Sequence, residues 1–505
     1  MSDVNRAAAP RQPTGSAGPR VARGAKKSGG GGSDLSAAER KALAELMRIA
    51  PVADELGRRF DRAGHELHLV GGSVRDALLG RLGDDLDFAT DAHPDQTLAV
   101  LAGWAEAVWE TGRDFGTIGA QRRGLRLEIT TFRADAYDGV SRNPVVQYGE
   151  SLVDDLSRRD FAINAMAVSV PGREFTDPYG GRKDLAKRLV RTPGRPEDSF
   201  GDDPLRMLRA ARFAAQLQFA VAPDVISAMR TMAGDLDRIT AERIRDEFMK
   251  LLCGADPVAG LRLLVDTGLA ERFLPELPGL QLAIDEHAQH KDVYEHTLTV
   301  VRNAVRLERD GPDLVLRLAA LLHDIGKPAT KAIGPDGRVS FHHHEVVGAR
   351  LTRQRLKALR FPKETVADVA DLVALHLRFY GYGRGEWTDS AVRRYVTDAG
   401  PLLDRLHALT RSDCTTRNRR KAAQLAADYD ALEERITRIA AEEDLARVRP
   451  DLDGNAIMEL LGLPPGPLIG EAWRYLRELR LDRGPLSHDD AVDALMAWAD
   501  ERGLR

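Results

Sequence analysis

The sequence predicts an α+β protein: a small head built on a mixed sheet, followed by helical domains alone. Apolar strand-like runs alternate with short helical ones between about His65 and Val170, the signature of a compact sheet with covering helices. From about Pro196 to Arg505 apolar residues recur instead at three- and four-residue spacing, almost without interruption. A length of 505 residues with 43% hydrophobic content allows three or more domains of ordinary size.

Composition bounds the setting. No apolar run approaches a membrane span, and no apolar stretch opens the chain, so a cytoplasmic protein with no membrane partner is expected. Two cysteines, Cys253 and Cys414, stand far apart in no metal-like spacing, which fits a reducing compartment. The net charge of −4 argues against indiscriminate nucleic-acid binding, but a basic groove depends on distribution and not on the sum.

Residues 1–34 are rich in Gly, Ala, Pro and basic residues and cannot form a core, so a disordered tail is expected there. Ser36 can cap a helix, with Glu39 at its third position. The head spans 35–195, with strands in HELHLVGG, DDLDFAT, FGTIGAQ and LRLEITTF and helices over Val74–Leu79 and Asp95–Ala102. The polar stretch 134–150 is too long for an ordinary connection, and such loops usually serve function. All-helical domains follow over 196–285, 286–415 and 416–505. In the last of these, Gly462 in LGLPPGPLIG ends one helix and proline sets the next.

The segment LVGGSVRDALLGRLGDDLDFAT (69–90) carries the strongest chemical signal. Asp85 and Asp87 are two apart in a strand, so both carboxylates leave the same face while Leu86 and Phe88 enter the core. Paired carboxylates without Cys or His suit a hard divalent ion such as Mg²⁺. The Gly71–Gly72–Ser73 turn ahead of a helix offers N–H groups to phosphates, and Arg75 offers a guanidinium. A bare Asp-x-Asp is a common surface pattern; with the glycine turn and the arginine it describes nucleotidyl transfer.

These residues, with RRDFAINAMAV (158–168), DPYGG (177–181) and DDPLRMLRAARFA (202–214), resemble in order and spacing the tRNA nucleotidyltransferases. These are CCA-adding enzymes of the bacterial and eukaryotic class, in the polymerase-β superfamily. The resemblance implies a polymerase-β-like head and a neck over 196–285 that binds the nucleotide base and RNA. It also implies Mg²⁺ on Asp85 and Asp87, with Glu128 as a third carboxylate. Gly72, Arg75 and Arg159 would meet the nucleotide. Ala162 stands where the family usually carries Thr, and Asp202 where it usually carries Glu. The loop 134–150 would reshape the pocket between C and A addition.

Asp203 and Arg206, read as i and i+3 on one helix, explain selection without a template. Cytosine and adenine both present an exocyclic amine beside an unprotonated ring nitrogen. A carboxylate accepts from the first and a guanidinium donates to the second. Uracil and guanine place a carbonyl against the carboxylate and leave buried groups unpaired. In the family these positions have this role, and Arg209 and Arg212 would bind triphosphate or support the pair. The expected ligands are CTP, ATP and the tRNA 3′ end with its acceptor stem, held by shape and a few contacts.

A second constellation comprises His296, His323 and Asp324 in LLHDIGKP, His344 in FHHHE, His376 and Asp413. It resembles the HD domain of metal-dependent phosphohydrolases. His with carboxylate suits Mn, Ni, Co, Fe or Zn better than Mg²⁺. His342 and His343 are alternatives to His344, which directly precedes Glu345. Lys327 could neutralise a phosphate, and an active site would cleave a phosphomonoester or cyclic phosphate. The basic run Arg417, Arg419, Arg420 and Lys421 suits either tRNA phosphates or a solvated helix face. No obligatory protein partner is evident. The rival readings are a poly(A) polymerase, an enzyme adding only CC or only A, and an HD phosphohydrolase with a nucleotide-sensing head.

Overall fold

The structure is a computed structural model and describes residues 37–132, 149, 151–281, 292–335, 339–379, 382, 387–416, 418–443 and 449–504. The tail 1–34, Ser36, the stretch 134–150 apart from Gly149, and Arg417 lie outside the described residues.

Seven strands make the head sheet: β1 Leu67–Val70, β2 Asp85–Thr90, β3 Ala107–Trp109, β4 Thr117–Arg122, β5 Leu125–Thr131, β6 Ala167–Ser169 and β7 Phe175–Thr176. Their order is β3-β4-β5-β2-β1-β6-β7. β2 and β5 run parallel and every other neighbouring pair is antiparallel, so the sheet is mixed. The alternation in β2 works as its sequence dictates, with Leu86 and Phe88 each 1% exposed in the core and Asp85 outside it. Helix Ala37–Arg62 lays Ile49, Val52, Ala53, Leu56 and Phe60 into the same core. Burying each large member of that stripe contributes roughly 1.5–3 kcal/mol before chain entropy is counted.

Beyond the sheet the chain is mostly helical, with one departure from the sequence expectation. Leu189–Val190 pairs with Ala220–Val221, and Ala332–Ile333 with Val339–Ser340, so two short strand pairs interrupt the helices. Two-residue strands leave no periodicity to detect. Head, neck and HD helices share one continuous apolar core, whereas Leu452, Ile457, Ile469, Ala472, Leu476, Leu495 and Trp498 form a separate one at the C-terminal end. There Gly462 caps Gly454–Leu461 in the left-handed region (φ 63°), and Pro467 opens the next helix.

Candidate active cleft and metal centre

β1 delivers the chain into helix Gly71–Leu78, so the glycine pair sits inside the first helical turn and not in a turn ahead of it. Gly71 has φ +68°, and a Cβ there would lie 2.6 Å from an Arg159 guanidinium nitrogen. Only glycine meets both conditions without strain. The buried Ser73 hydroxyl accepts the Asp87 N–H at 2.9 Å and so ties the helix to β2 at the carboxylate strand. In the parallel register Asp87 lies beside Glu128, and Asp85 beside Arg126. Adjacent strands are about 4.8 Å apart, so Asp85, Asp87 and Glu128 share one face. Burial, and then the Glu128 charge, push the Asp87 carboxyl up to about 6. A crowded, partly desolvated carboxylate cluster of this kind suits a hard divalent cation.

A cleft of about 480 Å³ opens beside these strands, lined by Asp87, Asp155, Arg158, Arg159, Asp203, Arg206 and Arg243 among others. Arg159 donates to Asp155 at 3.0 Å. Arg75 is not in that lining, yet it borders Gly72, where a Cβ would lie 3.5 Å from its guanidinium nitrogen. It donates to Asn164 at 2.7 Å and to both oxygens of Asp76, and its guanidinium lies 5.2 Å from the Phe213 ring.

Asp203 and Arg206, the pair expected to select the base, stand differently from the single helical face read in the sequence. Helix Pro196–Asp202 stops, Asp203 is extended (φ −142°, ψ 100°), and a new helix runs Leu205–Leu217. The cause is Pro204, whose ring disfavours helical backbone at the residue before it. Asp203 accepts the Leu205 N–H at 3.1 Å and pairs with Arg243 at 2.8 Å. Arg206 donates to the Ser199 carbonyl and hydroxyl and to the Arg158 carbonyl. Asp203 and Arg206 still line one cleft, but the loop and the helix start position them, not helical spacing.

Arg209 and Arg212, by contrast, are not among the cleft lining. Arg209 grips the buried Asp160 at 2.8 and 2.5 Å, and Arg212, 8% exposed, pairs with Glu247 at 3.2 Å. Burial, with Arg209 alongside, pulls Arg212 down to about 10. These pairings tie the helix to Asp160 and Glu247. The residues overlooked in the sequence are Asp155, Arg158 and Arg243. The spacing of Arg243 and Glu247 on one helical face was the available signal.

In the helical half, four helix ends and the first turn of a fifth helix bring the six HD residues together. His323 and Asp324 follow helix Leu314–Leu322, His344 opens His344–Ala358, His376 follows Lys363–Leu375, Asp413 ends Leu403–Asp413, and His296 projects from Val293–Leu307. His323, His344 and His376 each direct Nδ1 to the backbone carbonyl three residues earlier, at 2.9, 2.8 and 2.7 Å. That fixes the tautomer and leaves Nε2 for the centre. Asp324 Oδ1 lies 3.3 Å from His344 Nε2, and its Oδ2 3.2 Å from His323 Nε2 and 3.5 Å from His296 Nε2. Asp413 stands 2.9 Å from His296.

The donors form two adjoining groups, His296–His323–Asp413 and Asp324–His344–His376. The buried His344 Nε2 finds no well-directed hydrogen bond despite Asp324 nearby, the state expected of a metal ligand. Burial and the neighbouring His323 lower His376 to about 4, so it is neutral and able to ligate. Lys327 holds Asp324 at 2.6 Å, while His342 and His343 are exposed. Gly326 is obligatory, because a Cβ would meet the His344 carbonyl at 2.1 Å.

Residues 67–191 match the family model "Poly A polymerase head domain", 218–280 match "Probable RNA and SrmB- binding site of polymerase A", and 293–440 match "HD domain". The chain is 36% identical over 445 residues to the A-adding tRNA nucleotidyltransferase of Deinococcus radiodurans, covering 86% of this chain and 95% of that protein. The chain belongs to the tRNA nucleotidyltransferase family. Within that family it is also 33% identical to the CC-adding tRNA nucleotidyltransferase of Thermus thermophilus, over 86% of this chain and 94% of that one. The crystal structure of the Bacillus stearothermophilus CCA-adding enzyme in complex with CTP superposes with a TM-score of 0.64 at 26% identity, covering 93% and 99% of the two chains. As a tRNA nucleotidyltransferase with an HD domain, the chain combines two kinds of divalent-metal domain. The donor sets fit such ions: oxygens alone in the head, nitrogen and oxygen in the HD domain. Among the described residues no helix is long and apolar enough to cross a membrane.

Proposed function

We propose that the protein builds the CCA end of tRNA without a template, adding nucleotides from CTP and ATP to the 3′-hydroxyl with release of pyrophosphate. One observation carries the reading: a single cleft joins the carboxylate strand at Asp87 to Asp203 and Arg206. Asp85, Asp87 and Glu128 would hold Mg²⁺, which supplies hydroxyl activation and charge stabilisation on the departing phosphates. Arg159 sits against the Gly71 turn, where the phosphates would approach the backbone with Gly72. Arg75, oriented by Asn164, would reach the phosphates beside Gly72.

Selection follows from spare hydrogen-bonding capacity. An ionised carboxylate has about four acceptor positions, and Asp203 uses two, on Leu205 and Arg243. Guanidinium has about five donors, and Arg206 uses three, on Ser199 and Arg158. The pair can therefore accept an exocyclic amine and donate to a ring nitrogen, which cytosine and adenine offer and uracil and guanine do not.

The test supplies single nucleotides to tRNAs ending at the discriminator base, in C-C, or in C-C-A. CTP should extend the first, ATP the second, and neither the third, with UTP and GTP at least ~100-fold slower. Long A tracts on unrelated RNA would point to a poly(A) polymerase. Because two relatives matching almost end to end are named A-adding and CC-adding, failure of either single step would reassign the chain to the other.

The HD residues would hold a transition metal, Mn, Ni, Co, Fe or Zn, and serve a phosphoester hydrolysis secondary to transfer. The purified protein should carry such a metal at one equivalent or more per chain, by elemental analysis, and His323→Ala should lose it. Metal-free protein that takes up none of these ions on titration refutes this part.

A further inference from the structure

The two helices that carry Arg206 and Arg243 meet at their far ends, where the HD domain clasps the second of them directly. Arg206 lies in the first turn of Leu205–Leu217, and Arg243, which holds Asp203, in the first turn of Ala241–Leu252. Both helices start at the cleft. Their other ends meet, because Asp256 N–H donates to the Ala215 carbonyl at 2.9 Å and a Cβ on Gly254 would lie 3.0 Å from the Ala215 carbonyl carbon.

Into that meeting point reaches Arg317, from helix Leu314–Leu322 of the HD domain. One guanidinium nitrogen donates to the carbonyls of Leu252 and Gly254 at 2.6 and 2.7 Å. The other two nitrogens donate to the two oxygens of Glu308 at 2.7 and 2.6 Å, and Glu308 also accepts the Asp313 N–H at 2.9 Å. The Arg317 and Glu308 side chains are 3% and 6% exposed. Such a pair is costly to desolvate, and well-packed apolar residues usually stabilise a core as well or better. Its geometry answers a positional need: it closes off the end of Ala241–Leu252, and the Gly254–Asp256 segment it holds packs against Ala215 of Leu205–Leu217.

We propose that Arg317 is a positioning residue of nucleotidyl transfer, a residue of the HD domain that sets where Asp203, Arg206 and Arg243 stand. The inference rests on the transferase reading above. A helix of 12 or 13 residues is about 18–20 Å long, so a small tilt at the clasp becomes a displacement of an ångström or more at the cleft. Selection between bases by two hydrogen bonds does not survive a shift of that size. The HD domain thereby serves the transfer reaction whether or not it hydrolyses anything itself.

The test is the double variant R317M/E308M, which removes both buried charges at similar volume and frees the two carbonyls. Expected are a melting temperature within a few degrees of wild type, a tenfold or greater rise in KM for CTP and ATP, and a tenfold or greater rise in UTP and GTP misincorporation on tRNA. Arg353→Met, which breaks an exposed ion pair with Asp371 on the HD surface, should change neither. Wild-type KM and selectivity in a double variant that melts with the wild type overturn the proposal. If the double variant melts early, Arg317→Lys decides: its three donors cannot serve four acceptors, and unaltered misincorporation there overturns the proposal as well. Wild-type protein that adds nothing to tRNA would instead overturn the transferase reading.

Discussion

Asp87→Asn is expected to reduce nucleotide addition by at least ~10³-fold, corresponding to about 4 kcal/mol of transition-state stabilisation. The fold should not suffer. Burial and Glu128 raise the Asp87 carboxyl to about 6 from the usual 3.8, so the folded chain binds this proton more tightly than the unfolded one. Stability from this group is therefore present at low pH and declines as pH rises from about 4 to 6. Above that window the ionised carboxylate is a burden that a cation relieves and an asparagine never carries. Without added divalent ions at pH 7.5, Asp87→Asn should melt no earlier than wild type. Mg²⁺ should raise the wild-type melting temperature more at pH 7.5 than at pH 5, and should barely move the variant. An active Asp87→Asn protein, or a Mg²⁺ shift identical in both proteins, would remove Asp87 from the site.

What the sequence made legible is what local rules control. Alternation placed Asp85 and Asp87 on one face of β2, and the strand register then set Glu128 beside them. The HD residues lie at the ends of helices, or one turn into them, so a string such as His323–Asp324 marks a convergence point even though its partners are far along the chain. Failure came where periodicity was trusted across a proline. Asp203 and Arg206 are three apart in number, yet Pro204 puts them in different elements, and the sequence already contained that proline. The arginine stripe meets a different limit. Arg209 and Arg212 have the spacing of a ligand-binding face, but Asp160 and Glu247, their partners, come from distant segments. A guanidinium's partner is a tertiary fact, and helical spacing cannot tell a phosphate from a buried carboxylate. Arg317 was illegible for the same reason.

Asp160→Ala is expected to cost about 3–5 kcal/mol, a large share of the 5–15 kcal/mol typical of a domain. Asp160 is 8% exposed and receives Arg209 twice, the Asn164 amide at 2.8 Å and the Phe161 N–H at 2.9 Å. Burial alone would push its carboxyl up, but the Arg209 charge and these hydrogen bonds outweigh that and hold it below the usual range. Its contribution is therefore present near neutrality and lost as pH falls below the ordinary carboxylate range. Alanine leaves the half-buried Arg209 with Glu247 at 3.6 Å as its remaining close partner among the described residues, and leaves Asn164 unanchored. Asn164 in turn orients Arg75 at 2.7 Å, so transfer should fall even in the fraction that stays folded. Removing both charges separates the two effects. R209M/D160A should recover much of the stability, because no guanidinium is left stranded, while transfer stays low because Asn164 remains loose. Urea melts and initial rates on the same preparations check this. A single Asp160→Ala variant within 1 kcal/mol of wild type, or a double variant with restored transfer, would show that the chain from Arg209 through Asp160 and Asn164 does not position Arg75.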